Sequence, residues 1–228
     1  LNPALGLTGI RLCLAEPVMF RTQMRAILRA AVHGPVRMMW PMITSISEVR
    51  QCLIHLDTAQ RQLAERDEAF GPVSIGCMIE IPSAAMTVGS ILKLVDFISI
   101  GTNDLIQYLL SVDRGDDSVS HLYQPGHPAV LKTLQHIIRT ANRMEKGVSI
   151  CGEMAGDTVF TRLLLGMGLR RFSMNPNNLL SVKNIILHSH TGHLENDAAK
   201  ILRCEDPEKT EKLIKILNQS EQAESQAV

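Results

Sequence analysis

The 228-residue sequence carries no net charge, because 23 basic side chains balance 23 acidic ones. A balanced total gives no electrostatic reason to expect DNA, RNA or an anionic membrane as partner. No apolar run reaches the ~18 residues that a membrane-spanning helix needs. No basic stretch followed by an apolar one opens the chain, as it would in a secretory signal. Glycine and proline are few, 15 and 10 residues, which excludes a collagen-like or low-complexity chain. The five cysteines, Cys13, Cys52, Cys77, Cys151 and Cys204, include no CxxC pair. An odd count without a secretory signal points to free thiols in a reducing cytoplasm. Two nucleotide signatures are also missing, the Rossmann GxGxxG after a strand and the P-loop glycine-lysine motif. A chain of this length buries roughly 70% of its unfolded surface and needs no disulfide staples. It begins at Leu1-Asn2-Pro3 without Met, as a piece of a longer protein would.

What is present is an alternation. Five short apolar runs read as buried parallel strands: Val36 to Trp40, Ser74 to Ile79, Phe97 to Ile100, Val148 to Cys151 and Arg171 to Met174. Amphipathic segments follow them. Pro17 opens a helix that repeats Phe20, Met24, Ile27, Leu28 and Ala31 at helical spacing before Gly34. Ser45 with Glu48 forms a capping-box pattern ahead of Val49, Leu53 and Leu56. Further helices are expected from Pro82 to Lys93, from Pro128 to Gly147, from Thr158 to Leu165, from Leu180 to His188 and from Glu205 to Leu217. His127 precedes Pro128 and shapes a helix start. Met38, Met39 and Met42 read as core packing. His188, His190 and His193 read as solvated residues of a polar loop, and Asn218 to Val228 as a disordered tail. Strands alternating with helices imply a parallel α/β sheet, either open or closed into a barrel.

Polar residues gather where such sheets place their chemistry, at the C-terminal ends of strands. Glu80 ends one run, Asn103 and Asp104 follow another, and Cys151, Gly152 and Glu153 close a third. Glu80 and Asp104 are hard oxygen donors, and Mg2+ is commonly held by one or two carboxylates together with substrate and water. No thiolate or imidazole pair stands beside them, which argues against structural zinc. The ordinary alternative makes Asp104 a cap for a helix beginning at Leu105, and Glu80 a loop acid. Arg114 can clamp a phosphate or carboxylate, or it can pair with Asp113, Asp116 or Asp117 on the surface. Cys151 is either a small buried hydrophobe or a thiol that gives and takes a proton.

Longer motifs surround these residues. They are Asn2-Pro-Ala-Leu-Gly6, Gly76-Cys-Met-Ile-Glu80, Ile98-Ser-Ile-Gly-Thr-Asn-Asp104, Val112-Asp-Arg-Gly115, His121-Leu-Tyr-Gln-Pro125 and Cys151-Gly-Glu-Met-Ala-Gly156. In this order, from Asn2 to about Leu187, the chain resembles the C-terminal phosphoenolpyruvate-binding domain of the Enzyme I family of the bacterial phosphotransferase system. The resemblance implies a TIM-type (βα)8 barrel, lacking its first strands here and showing about five βα units. Residues 1–195 would form that domain, 196–217 a C-terminal amphipathic helix and 218–228 the tail. It implies Mg2+ on Glu80 and Asp104, phosphoenolpyruvate on Asn103, Asp104 and Arg114, and Cys151 as the donor that protonates the enolate of pyruvate. The phosphoryl group would pass to a histidine on a separate N-terminal domain and then to a histidine phosphocarrier protein, in a cytoplasmic homodimer.

Two departures stand out. The family pattern near the start has two arginines, and Thr8 replaces the first while Arg11 is kept. Two further anion-binding arginines of the family fall upstream of Asn2. The chain alone is therefore not expected to turn over. Alternatives are a pyruvate phosphate dikinase or phosphoenolpyruvate synthase relative, or a regulatory module that has lost turnover, at which Thr8 hints.

Overall fold

Apolar runs flanked by amphipathic segments leave each strand facing a helix that can cover it. The structure, a computed structural model, describes residues 3–225. Among the described residues the helices and strands follow in the order α1 Ile10–Ala15, α2 Pro17–Ala30, β1 Val36–Trp40, α3 Ile46–Ala64, β2 Val73–Ile79, α4 Pro82–Met86, α5 Val88–Ile91, β3 Phe97–Gly101, α6 Thr102–Leu110, α7 Pro128–Arg143, β4 Gly147–Cys151, α8 Glu153–Gly156, α9 Thr158–Gly166, α10 Pro176–Leu187, α11 Thr191–Leu202 and α12 Pro207–Ser225. The sheet order is β1-β2-β3-β4. This is the βα order of a (βα)8-type barrel, carried through four strands rather than the five expected. The chain divides into two compact units, residues 1–98 and 99–228, with the boundary inside β3.

In the first unit β1 and β2 run parallel, from Val36 opposite Val73 to Trp40 opposite Cys77. The amphipathic spacing of α2 buries Phe20, Met24 and Leu28, and that of α3 buries Val49, Cys52, Leu56, Ala59 and Leu63. The two helices are also joined by a hydrogen bond, Arg25 Nη1 to Gln62 Oε1 at 2.6 Å, and by a ring contact, Phe20 edge-on to His55 at 5.8 Å. The capping box forms as expected: Ser45 is the N-cap, and Glu48 accepts from the backbone of Ser45 at 3.1 Å and of Thr44 at 2.6 Å. Burial pushes the Cys52 and Cys77 thiols up, Cys77 to about 12. The helix expected from Pro82 to Lys93 breaks at Thr87, whose hydroxyl donates to Ser83 O at 2.8 Å. Such a side-chain bond competes with continuation of the helix. Met38 and Met42 are core residues, whereas Met39 lies at the surface, 37% exposed.

In the second unit the strand expected from Arg171 to Met174 is reduced to one bridge, Ile150 opposite Phe172. Asn175 and Pro176 end it at once, because Asn175 caps α10 by accepting from Asn177 N and Pro176 is the first helical residue. His127 caps α7 in the way its place before Pro128 suggested, with Nδ1 accepting from Ala129 N at 3.1 Å. The stretch read as a polar loop becomes α11. Leu194, Ala198, Ile201 and Leu202 repeat at helical spacing and are buried. His190 stands before this helix and His193 within it, their rings 6.1 Å apart. The boundary expected at 195/196 falls inside α11. The last helix runs to Ser225, well into the stretch read as a disordered tail, because no Gly or Pro interrupts residues 207–225 after its first position. Residues 226–228 lie outside the described residues.

Gly166 sets how closely α9 approaches α11. A β-carbon there would collide with the Leu194 carbonyl oxygen and lie 2.8 Å from Ala198 Cβ. Helix propensity alone would make Gly166→Ala stabilising by up to ~1 kcal/mol. Overpacking costs more, typically 1–3 kcal/mol. Gly166→Ala is therefore expected to lower the thermal midpoint, read by circular dichroism, and a raised midpoint would contradict this packing.

Candidate functional site

The second unit gathers most of the expected site residues. β3 ends at Gly101 and α6 begins at Thr102, so Asn103 and Asp104 occupy the first helical turn. Asp104 is not the N-cap of a helix starting at Leu105, because the helix starts earlier and Gly101 holds the cap position. A carboxylate in a first turn still benefits from the unpaired N–H groups there. The turn after β4 is stitched to this helix start by two hydrogen bonds. Thr102 Oγ1 donates to Cys151 O at 2.8 Å, and Glu153 N donates to Asn103 Oδ1 at 2.9 Å. Gly152 lies between them at φ +92°, and a β-carbon on it would stand 2.5 Å from Thr102 Oγ1 and 2.7 Å from Asn103 Oδ1.

The Cys151 thiol is held on two sides. Ser99 Oγ donates to Sγ at 3.4 Å, and Sγ donates to Ile100 O at 3.4 Å. A thiol can accept the first of these bonds and donate the second. Arg114 pairs with Glu153 at 3.6 Å, their side chains 42% and 80% exposed. Two of its three expected partners are engaged locally: Asp113 accepts from Gly115 N, and Asp116 from Ser118. An ion pair this exposed contributes little, so the guanidinium remains open to a competing anion.

One member of the group was not singled out from sequence. Tyr123, quoted only as part of a motif, donates through its hydroxyl to Asn103 O at 3.4 Å. Burial pushes its phenol up to about 12, reinforced by the negative charge of Glu153 and opposed by Arg114. No spacing rule links residue 123 to residue 103. The 3-10 turn Ser120–Leu122 delivers it, and only the fold shows that.

Glu80 belongs to the first unit. It follows β2 directly, is 3% exposed, and accepts from Met42 N through Oε1 at 2.6 Å. It is a buried carboxylate and not a solvated loop acid. Arg11, the arginine kept in the N-terminal pattern, donates to Leu5 O at 3.1 Å and Gly6 O at 3.2 Å. It ties down its own turn. Among the described residues no three His, Cys, Asp or Glu side chains cluster as a metal-holding group. Glu80 and Asp104 offer hard carboxylate oxygens, a donor chemistry that suits Mg2+, which needs only one or two such ligands from protein.

A family described as PEP-utilising enzyme, PEP-binding domain, matches residues 1–191. The chain belongs to this family. Within it, phosphoenolpyruvate-protein phosphotransferases are similar: that of Cupriavidus necator is 54% identical over 209 residues, covering 91% of this chain and 36% of the relative. The protein of the same name from Priestia megaterium is 42% identical over 216 residues, 94% of this chain and 38% of the relative. That of Bacillus subtilis is 40% identical with the same coverage, 94% and 38%. The chain thus spans little more than a third of the length of these relatives. A citrate lyase crystal structure from Burkholderia xenovorans shares its fold, with a TM-score of 0.52 and 16% identity over 89% of this chain and 69% of the lyase.

The sequence has two tyrosines, Tyr108 and Tyr123. Alkaline titration of phenolate absorbance is expected to show a late step near 12 that Tyr123→Phe removes. The folded pKa lies above the unfolded value of about 10, so the linked stability is present below pH ~10 and is lost as pH rises toward the folded value. A late step that persists in Tyr123→Phe would contradict the burial of Tyr123.

Proposed function

We propose that this chain binds phosphoenolpyruvate with Mg2+ and serves the transfer of its phosphoryl group to a histidine on another domain, releasing pyruvate. The observation that carries the reading is the Cys151 thiol at the end of β4, held by Ser99 and Ile100 O, in the turn where Glu153 bonds Asn103 and pairs with Arg114. Family membership and the relatives' names support the substrate and the reaction class.

Phosphoryl transfer rests on positioning and charge stabilisation more than on covalent help. Arg114 exchanges its exposed partner Glu153 for the phosphate or carboxylate of the substrate, in the two-pronged geometry that guanidinium offers. Asn103, its side-chain oxygen already used to hold the turn, orients the substrate beside Cys151. Mg2+ is assigned to Glu80 and Asp104, and when bound it supplies positive charge for the phosphate and enolate oxygens. The bond between phosphorus and the enol oxygen breaks, and a new bond forms between phosphorus and the histidine nitrogen. The electron pair left on the enolate takes the S–H proton at the methylene carbon, giving pyruvate and a thiolate that recovers its proton from water.

The same reading includes onward transfer to a histidine phosphocarrier protein and a homodimeric parent. The cytoplasm is the proposed location, which the free state of all five cysteines suits. Among the described residues no helix is long and apolar enough to cross a membrane.

The test uses the complete protein that carries this chain. Calorimetry is expected to show Mg2+-dependent phosphoenolpyruvate binding, and Asp104→Ala to abolish it. Cys151→Ala should keep binding and phosphoryl transfer while slowing pyruvate formation roughly 10²-fold or more, as loss of a general acid does. Pyruvate formed at the wild-type rate by Cys151→Ala would remove Cys151 from the mechanism. Metal-independent binding would remove the carboxylates.

A further inference from the structure

Four non-glycine residues adopt positive φ: Met42, Asp67, Ser111 and Glu145. Three have an ordinary explanation. Asp67, Ser111 and Glu145 are exposed and lie just past the ends of α3, α6 and α7, where a left-handed residue commonly closes a helix. Met42 does not fit that account. It follows the strand β1 and Pro41, it is 9% exposed, and its φ is 55°. A bulky buried side chain in this conformation is strained, and it persists only where the surroundings hold it.

Two contacts hold Met42. Its N–H donates to Oε1 of the buried Glu80 carboxylate at 2.6 Å. Its side chain runs close along Gly9, where an added β-carbon would lie 2.6 Å from Met42 Cγ and 2.8 Å from Cβ. Gly9 itself sits at φ 54°, ψ −132°, a conformation few residues other than glycine adopt. The left-handed turn at Met42 thus directs a charge-assisted donor at one carboxylate oxygen and fixes the rotation of the group.

We propose that Met42 is a positioning residue for Glu80, and that Gly9, beside the Thr8 that replaces a family arginine, is the seat that keeps Met42 in place. This rests on the reading of Glu80 as a metal ligand. Gly9 thus serves the metal side of the site even without the arginine charge.

The test measures Mn2+ affinity of the chain by electron paramagnetic resonance, with folding checked by circular dichroism. Met42→Val keeps an apolar side chain but disfavours positive φ, and it is expected to weaken Mn2+ binding by about 10-fold or more, the usual effect of losing a partner that orients a ligand. Met42→Asn tolerates positive φ and retains the N–H, so it should keep most of the affinity. Gly9→Ala tests the same contact from the opposite side and is expected to weaken binding as Met42→Val does. This keeps the proposal open to disproof if Met42→Val fails to fold. Wild-type affinity in folded Met42→Val or Gly9→Ala, with affinity lost in Glu80→Ala, overturns the positioning role and leaves the metal reading intact. Wild-type affinity in Glu80→Ala, or no Mn2+ binding by the unsubstituted chain, overturns the metal reading and this inference with it.

Discussion

Two hydrogen bonds across one glycine hold the chemistry of the second unit together. Thr102 Oγ1 to Cys151 O and Glu153 N to Asn103 Oδ1 fix the end of β4 against the start of α6. Each is worth only about 0.5–1.5 kcal/mol net. Their importance is geometric, because they bring Cys151, Asn103 and Glu153 to one place, and Arg114 and Tyr123 attach to that place through Glu153 and Asn103. Gly152 is the condition for both bonds, since any side chain there would occupy the space they need.

The first unit solves a related problem with a different device. A carboxylate that is nearly inaccessible to water is costly unless it is hydrogen-bonded. Glu80 receives a backbone N–H aimed by a strained residue. In both units a polar group at a strand end accepts from main chain of a neighbouring segment, Glu80 from Met42 N and Asn103 from Glu153 N.

Much of this was legible in the sequence, and the reasons differ by element. β1 was readable to the residue, because Val36 to Trp40 is a short apolar run bounded by Gly34-Pro35 and Pro41. The capping box of α3 and the cap at His127 were readable because both are local. α11 was not, since its histidines and Gly192 mask a buried stripe that begins only at Leu194. The fifth strand was overcalled because an apolar run cannot show how long its neighbour stays beside it. Among the candidate residues, Glu80, Asn103, Asp104 and Cys151 were singled out by their places at strand ends and by family motifs, and Arg114 by its motif. Their partners were not. Met42 to Glu80 spans 38 residues and Tyr123 to Asn103 spans 20, and no periodicity encodes such separations.

Burial also divides the five cysteines into two chemical populations. Cys52 and Cys77 are sealed, and their raised thiol pKa leaves almost no thiolate for an electrophile to meet at neutral pH. Cys13, Cys151 and Cys204 are only partly covered. Air oxidation and alkylating reagents would therefore begin among these three, one of which is the proposed proton donor. For such a protein the reductant in the buffer protects the proposed proton donor itself.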